Sequence, residues 1–284
     1  MMDLLLTVVL FTLGIVLIVK GGDAFVDAAA WMAEVSGIPK LIVGATVVSF
    51  ATTLPELLVS SMAAFDGKVD MAIGNAVGSV TANLALIMGI ALVCLPSAIR
   101  RRDYLLKAVL MLGASLYLVL ASSGGSLSFQ SGIALLVIFV IAMWDNIRSA
   151  LRSMREEQTA AGRGGHPRPM GHEVRRNLLK FLLGAAGIVI GAQLLVDHGG
   201  NLARLIGVPE RIIGVTLIAV GTSLPELVTT LTAIAKKQAS LSAGNIIGAN
   251  IIDLPLILPI CSLISGGALP VSAQALAIDL PACL

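Results

Sequence analysis

From Gly44 the chain reads GATVVSFATTLPEL, and from Gly214 it reads GVTLIAVGTSLPEL, with seven of fourteen positions identical and no gap. The 170-residue offset holds far outside this stretch. Gly37-Ile38-Pro39 falls on Gly207-Val208-Pro209, Asp27 on Asp197, Gly74-Asn75 on Gly244-Asn245, Gly78 on Gly248 and Asn83 on Asp253. A constant offset over so long a reach is an internal duplication, so the fold has to build one unit twice.

Composition says what kind of unit. Of 284 residues, 57% are hydrophobic and 13% charged, whereas a soluble domain carries about 25% charged residues. Mean hydropathy is +0.95. Apolar runs broken by short polar segments predict an all-α polytopic membrane protein, with spans at about 4–30, 41–65, 71–95, 104–121, 127–147, 178–201, 211–235 and 241–264. Met1-Met2-Asp3 lacks the basic region of a cleaved signal peptide, so the first run is read as a retained span. Cys94, Cys261 and Cys283 show neither CxxC spacing nor an even count, and neither a disulfide nor a zinc site is expected.

Five spans precede the second copy. A duplicated unit with an odd number of crossings enters the membrane in opposite senses, which predicts two inverted-topology repeats of five-helix type. Residues 1–147 form the first, 148–176 a basic linker, and 177–284 the second. Arg100, Arg101 and Arg102, then Arg148, Arg152, Arg155, Arg163, Arg168, Arg175 and Arg176, then Lys236-Lys237 occupy alternate loops, while 122–126 and 265–269 carry no charge. The positive-inside rule places the basic loops in the cytoplasm and the N-terminus outside, in a cell (inner or plasma) membrane. The second repeat reaches its third span, then Pro270 and Ala277-Ile278-Asp279-Leu280-Pro281, which reads as the start of a ninth span. By symmetry about two spans are missing, the expectation for a fragment or a truncated product.

The duplicated motif carries the chemistry. Glu56 follows Pro55 and Glu226 follows Pro225; each proline leaves a carbonyl four residues back, Ala51 or Gly221, without its helical donor. At membrane depth such a carbonyl has to be satisfied by protein, water or a cation. Thr52 and Thr53 in one copy, and Thr222 and Ser223 in the other, crowd the same turn. Carboxylate, hydroxyl and carbonyl oxygens suit a hard cation such as Ca²⁺ or Na⁺, and no sulfur or imidazole is present to favour zinc or copper. A charged residue at a helix centre costs at least about 2.5 kcal/mol, so two at equivalent positions imply a use. Asn75, Asn83 and the hydroxyls taken singly also fit interhelical hydrogen bonds. Asp27 and Asp197 sit toward span ends, where pairing or interfacial placement is expected, and Lys20 and Asp23 are spaced to neutralise one another.

ATTLPEL at 51–57, GTSLPEL at 221–227 and the two GN-x-x-G segments resemble the alpha repeats of the sodium/calcium exchanger family, within the wider cation/calcium antiporter superfamily. The resemblance covers roughly 13–95 and 183–264. It implies ten helices in two inverted repeats, with Glu56 and Glu226 as shared Ca²⁺/Na⁺ ligands. It further implies Thr52, Ser79, Asn83, Thr222, Ser223 and Asp253 as ligands, with the backbone carbonyls of Ser49 and Ala219. Two departures stand out. Ala51-Thr52-Thr53 replaces the usual Gly-Thr-Ser, and Ala249 stands where the first copy has Ser79, removing one hydroxyl from a Na⁺ site.

The expected function is exchange of Ca²⁺ for Na⁺ by alternating access, with H⁺- or K⁺-coupled exchange and a cation channel as the rival readings. HExxH, GxSxG and Ser/His pairings are absent from the spans, so no catalytic residue and no enzyme activity are expected. The reading calls for transported ions and membrane lipid, with no cofactor and no nucleic acid, and a monomer suffices.

Overall fold

The computed structural model describes residues 2–94, 101–160, 170–208 and 221–284. Helix α1 spans Met2–Ser36. The second span is broken: α2, Lys40–Thr52, and α3, Leu54–Phe65, meet at 45°. Then come α4, Val69–Cys94; α5, Arg101–Ser122; α6, Phe129–Ala160; and α7, Gly171–Leu205. Helix α8, Leu224–Ala235, and α9, Ala239–Ile264, follow. The chain ends in a short helical stretch, Ala275–Asp279 continued by Leu280–Ala282, where the sequence predicts the start of a ninth span.

Among the described residues, six helices are long and apolar enough to cross a membrane, and the bent α2–α3 pair makes a seventh. Only α8 of the seventh expected span (211–235) is described. Large apolar side chains cover the outside, among them Leu5, Val9, Val16, Leu58, Leu120, Val140 and Leu183, which is stable only when hydrocarbon replaces water around them. The protein is an all-α polytopic membrane protein. Several helices overrun the expected spans: α1 continues to Ser36, α6 to Ala160, and α7 starts at Gly171.

Helix α9 occupies the middle. Its most apolar window is 83% buried, against 17% for α1. It reaches the centre because glycines let backbone meet backbone. A Cβ on Gly244 would collide with the Leu41 carbonyl oxygen, and one on Gly44 with the Leu241 carbonyl oxygen. Helices α1 and α7 pair in the same manner: a Cβ on Gly21 would lie 2.9 Å from the Gly184 oxygen, and one on Gly191 2.8 Å from the Gly14 oxygen.

Local conformation recurs at the sequence offset. Thr53 (φ −85°, ψ 0°) precedes α3 as Ser223 (φ −87°, ψ 5°) precedes α8. The turn after α3 has Gly67 at φ 74°, and the turn after α8 has Lys237 at φ 56°. Lys68 N–H bonds Ala63 O at 2.8 Å, and Gln238 N–H bonds Ala233 O at 2.7 Å. A π-helical turn opens at Asn83 in α4 and another at Asp253 in α9.

One element lay outside the helical expectation. Strands β1, Ser126–Ser128, and β2, Ala268–Pro270, pair antiparallel and tie the two uncharged loops together at one end of the bundle. Asp23 also differs from the sequence reading: its carboxylate lies 3.4 Å from Lys236, brought there by the approach of α1 to α8.

Gly244→Ala is expected to cost about 1–3 kcal/mol through backbone overpacking, read as a lowered thermal midpoint in detergent. A Cβ on Gly113 would meet nothing within 4 Å, and Gly113→Ala is expected to leave that midpoint unchanged or slightly raised.

Candidate functional site

Each motif break starts a new helix one residue before its proline, so Glu56 and Glu226 fall in the first turns of α3 and α8. The exposed N–H groups and dipole of a helix start favour negative charge there. Both carboxylates are nonetheless 1% exposed, as is Asp253 on α9. Burial without partners makes such groups costly.

Partners are in short supply. Glu226 Oε1 accepts from Thr53 Oγ1 at 3.1 Å, so the first motif reaches the second motif's carboxylate. Among the described residues, both oxygens of Glu56, both of Asp253, Oε2 of Glu226 and Oδ1 of Asn83 are buried with no hydrogen-bond donor. Glu56 is near enough to Glu226 and Asp253 for their charges to repel, and Asp253 is near enough to Glu226.

Hydroxyl and amide groups fill the space around these carboxylates. Thr52 Oγ1 donates to Asn245 Oδ1 at 3.2 Å and lies 3.3 Å from Ser49 O. Ser223 Oγ bonds Ser79 Oγ at 3.2 Å, joining the second motif to α4. Asn83 Nδ2 donates to Asn250 Oδ1 at 3.0 Å, which turns Asn83 Oδ1 the other way, free of any donor. Asn75 Nδ2 donates to Ser60 Oγ at 2.9 Å and to the Glu56 carbonyl at 3.3 Å, bracing α3 from behind.

The structure thus gathers Glu56, Glu226, Asp253, Asn83, Thr52, Thr53, Ser79 and Ser223 in one buried region. Ser49 is buried beside them, its carbonyl already accepting from Thr53 N–H at 2.9 Å. Thr222 is half-buried at the second break, and Ala219 lies outside the described residues. Sequence reasoning missed Asn250, because the offset aligns it with Val80. Its signal was a lone amide in an apolar run three residues before Asp253, hence on the same helical face.

Among the described residues no three His, Cys, Asp or Glu side chains close into a compact metal cluster. The carboxylates instead share an oxygen-lined region with hydroxyls and amides between them. Such a donor set, without sulfur or imidazole, can hold hard cations that carry little hydration into the site.

Comparison with known proteins points the same way. The model of the sodium/calcium exchanger protein family matches residues 6–147 and 177–284. The chain is 35% identical to inner membrane protein YrbG of Escherichia coli (strain K12) over 93% of this chain and 82% of that protein. It is 30% identical to sodium/calcium exchanger MaX1 of Methanosarcina acetivorans over 88% of this chain and 81% of that protein. Its fold matches a structure of the sodium-calcium exchanger NCX_Mj soaked with Na⁺ and Sr²⁺, with a TM-score of 0.81, 28% identity, and coverage of 99% of this chain and 89% of that one. The chain belongs to the sodium/calcium exchanger protein family, whose members are membrane transporters and not enzymes.

Proposed function

We propose that this protein exchanges Ca²⁺ for Na⁺ across a membrane by alternating access to a site held by Glu56, Glu226, Asp253 and Asn83. Thr52, Thr53, Thr222, Ser223 and Ser79 complete it, with the carbonyls of Ser49 and Ala219. One observation carries this reading: both carboxylate oxygens of Glu56 and of Asp253, Oε2 of Glu226 and Oδ1 of Asn83 are buried with no donor among the described residues. A cation is the partner that such oxygens lack.

Coupling follows from charge. Glu56, Glu226 and Asp253 together carry −3 when ionised, and bare charge cannot cross a desolvating barrier cheaply. One Ca²⁺ or several Na⁺ largely offset that charge, so only loaded forms switch sides. That restriction ties one flux to the other. The likeness to MaX1 and NCX_Mj, both sodium/calcium exchangers, supports Na⁺ as the counter-ion. Ala249 in place of a second serine removes one hydroxyl from the set.

The architecture proposed is two inverted repeats, 1–147 and 177–284, joined by a cytoplasmic linker at 148–176. The break in the family match between 147 and 177 supports that division. Both uncharged loops meet at the β1–β2 ladder, and Lys236 meets Asp27 by a 2.8 Å bond from a basic loop. This fits an N-terminus outside the cell (inner or plasma) membrane.

Radioactive Ca²⁺ uptake into proteoliposomes tests the function. An outward Na⁺ gradient is expected to drive uptake, Glu56→Gln and Glu226→Gln to abolish it, and both variants to keep the wild-type gel-filtration profile. Uptake driven by a pH gradient alone would replace Na⁺ with H⁺ as the coupling ion, and uptake independent of any counter-ion would make the protein a channel. For topology, an impermeant thiol reagent on intact cells, with the three native cysteines replaced by alanine, is expected to label Ser265→Cys and to leave Gln238→Cys unmodified.

A further inference from the structure

The end of α8 is fastened to α1 in a way the duplication does not repeat. Lys236 Nζ lies 2.8 Å from Asp27 Oδ1 and 3.4 Å from Asp23 Oδ1. One turn earlier, a Cβ on Gly22 would meet Thr232 Oγ1 at 2.8 Å, so α1 and α8 already touch closely at this level. Partial burial pulls the Lys236 ammonium down, and the Asp27 and Asp23 carboxylates outweigh it, leaving its pKa above the ordinary lysine value. The group stays charged throughout the physiological range.

Just inside this triad the packing is apolar. Phe25, Val26, Ala29, Val48, Ala233 and Leu241 are all fully buried and form one cluster. Glu226 stands ten residues before Lys236 on the same helix, about 15 Å away along its axis. Ala233 of this cluster lies between Glu226 and Lys236 on α8, and α1 cannot leave α8 there without breaking the ion pairs.

The 170-residue offset gives the other copy opposite chemistry. Asp197 stands where Asp27 does, Asp66 where Lys236 does, and Gln193 where Asp23 does. The equivalent closure would set a carboxylate against a carboxylate, and like charges repel. Asp66 is paired locally instead, 3.3 Å from Lys68.

We propose that Lys236 with Asp23 and Asp27 is an electrostatic latch that holds the 236–239 end of the exchanger closed, and that Asp66 and Asp197 deny the opposite end such a latch. The two access states are therefore unequal before any ion binds, and the one closed at Lys236 is favoured. This inference rests on the alternating-access reading above. Because the side chains are part-exposed, the bias is small: exposed pairs of this kind shift an equilibrium by about twofold to fivefold.

The experiment uses the full chain in nanodiscs, with Cys94, Cys261 and Cys283 replaced by alanine and Ala233→Cys placed in the apolar cluster as reporter. The rate of maleimide labelling at this position measures opening of the Lys236 end. Lys236→Gln is expected to raise that rate about twofold to fivefold, and Lys236→Asp to raise it more. Asp66→Lys, which supplies the missing partner for Asp197, is expected to raise it as well. The charge swap Lys236→Asp with Asp27→Lys is expected to bring it back toward the parent rate. An unchanged rate in Lys236→Gln overturns the latch, as does a raised rate that the swap does not reverse, since that assigns the effect to packing. Ca²⁺ uptake by the parent and Lys236→Gln chains in proteoliposomes separates the two claims: uptake with unchanged labelling refutes the latch alone, and no counter-ion-dependent uptake in the parent refutes the exchange reading beneath it.

Discussion

Carboxylates buried in a membrane bundle without donors set the terms for everything around them. In water a carboxylate is fully solvated; at the depth of Glu56, Glu226 and Asp253 it has only what the protein brings. The protein brings little positive charge that the structure shows: a threonine hydroxyl to Glu226 and helix N-termini behind both glutamates. Each such group left alone costs several kcal/mol. A bundle that tolerates three of them in mutual repulsion is incomplete as a purely protein structure, and this is the ground on which we propose a cation there.

The helix breaks serve this requirement. An unbroken second span would present Glu56 on the side of a helix, with every N–H engaged. Breaking it at Thr53 places the carboxylate on a helix start and turns the chain by 45°. The π-helical turns at Asn83 and Asp253 do similar work on the facing helices, where they shift the register of side chains at the point of contact. Close glycine contacts then bring α9 against α2 without side chains between them, so that polar groups from both meet directly. Fold and site are thus one construction, because removing the breaks would also remove the oxygens from the middle.

Much of this was legible in the chain. Hydropathy gave the helices, and the offset alone paired Glu56 with Glu226 and Asn83 with Asp253. Where the reading fell short, the cause was physical. Asn250 was hidden because its partner position holds Val80, so symmetry argued against it. Asn245 was visible as a repeated Gly-Asn, yet its bond to Thr52 crosses between helices far apart in sequence. Asp23 was paired with Lys20 on spacing along one helix, whereas the closer cation comes from the end of α8. Contacts within one helix follow from its periodicity; contacts between helices depend on where glycines let backbones meet.

A cation lying between the two motif glutamates is the central claim. An anomalous-scattering map from crystals of the full chain soaked in Sr²⁺ tests it most directly. A peak about 2.3–2.6 Å from carboxylate oxygens of both Glu56 and Glu226, at the distances expected of a Ca²⁺-like ion, is the predicted result. Density confined to the protein surface, or bound by only one of the two glutamates, would contradict it.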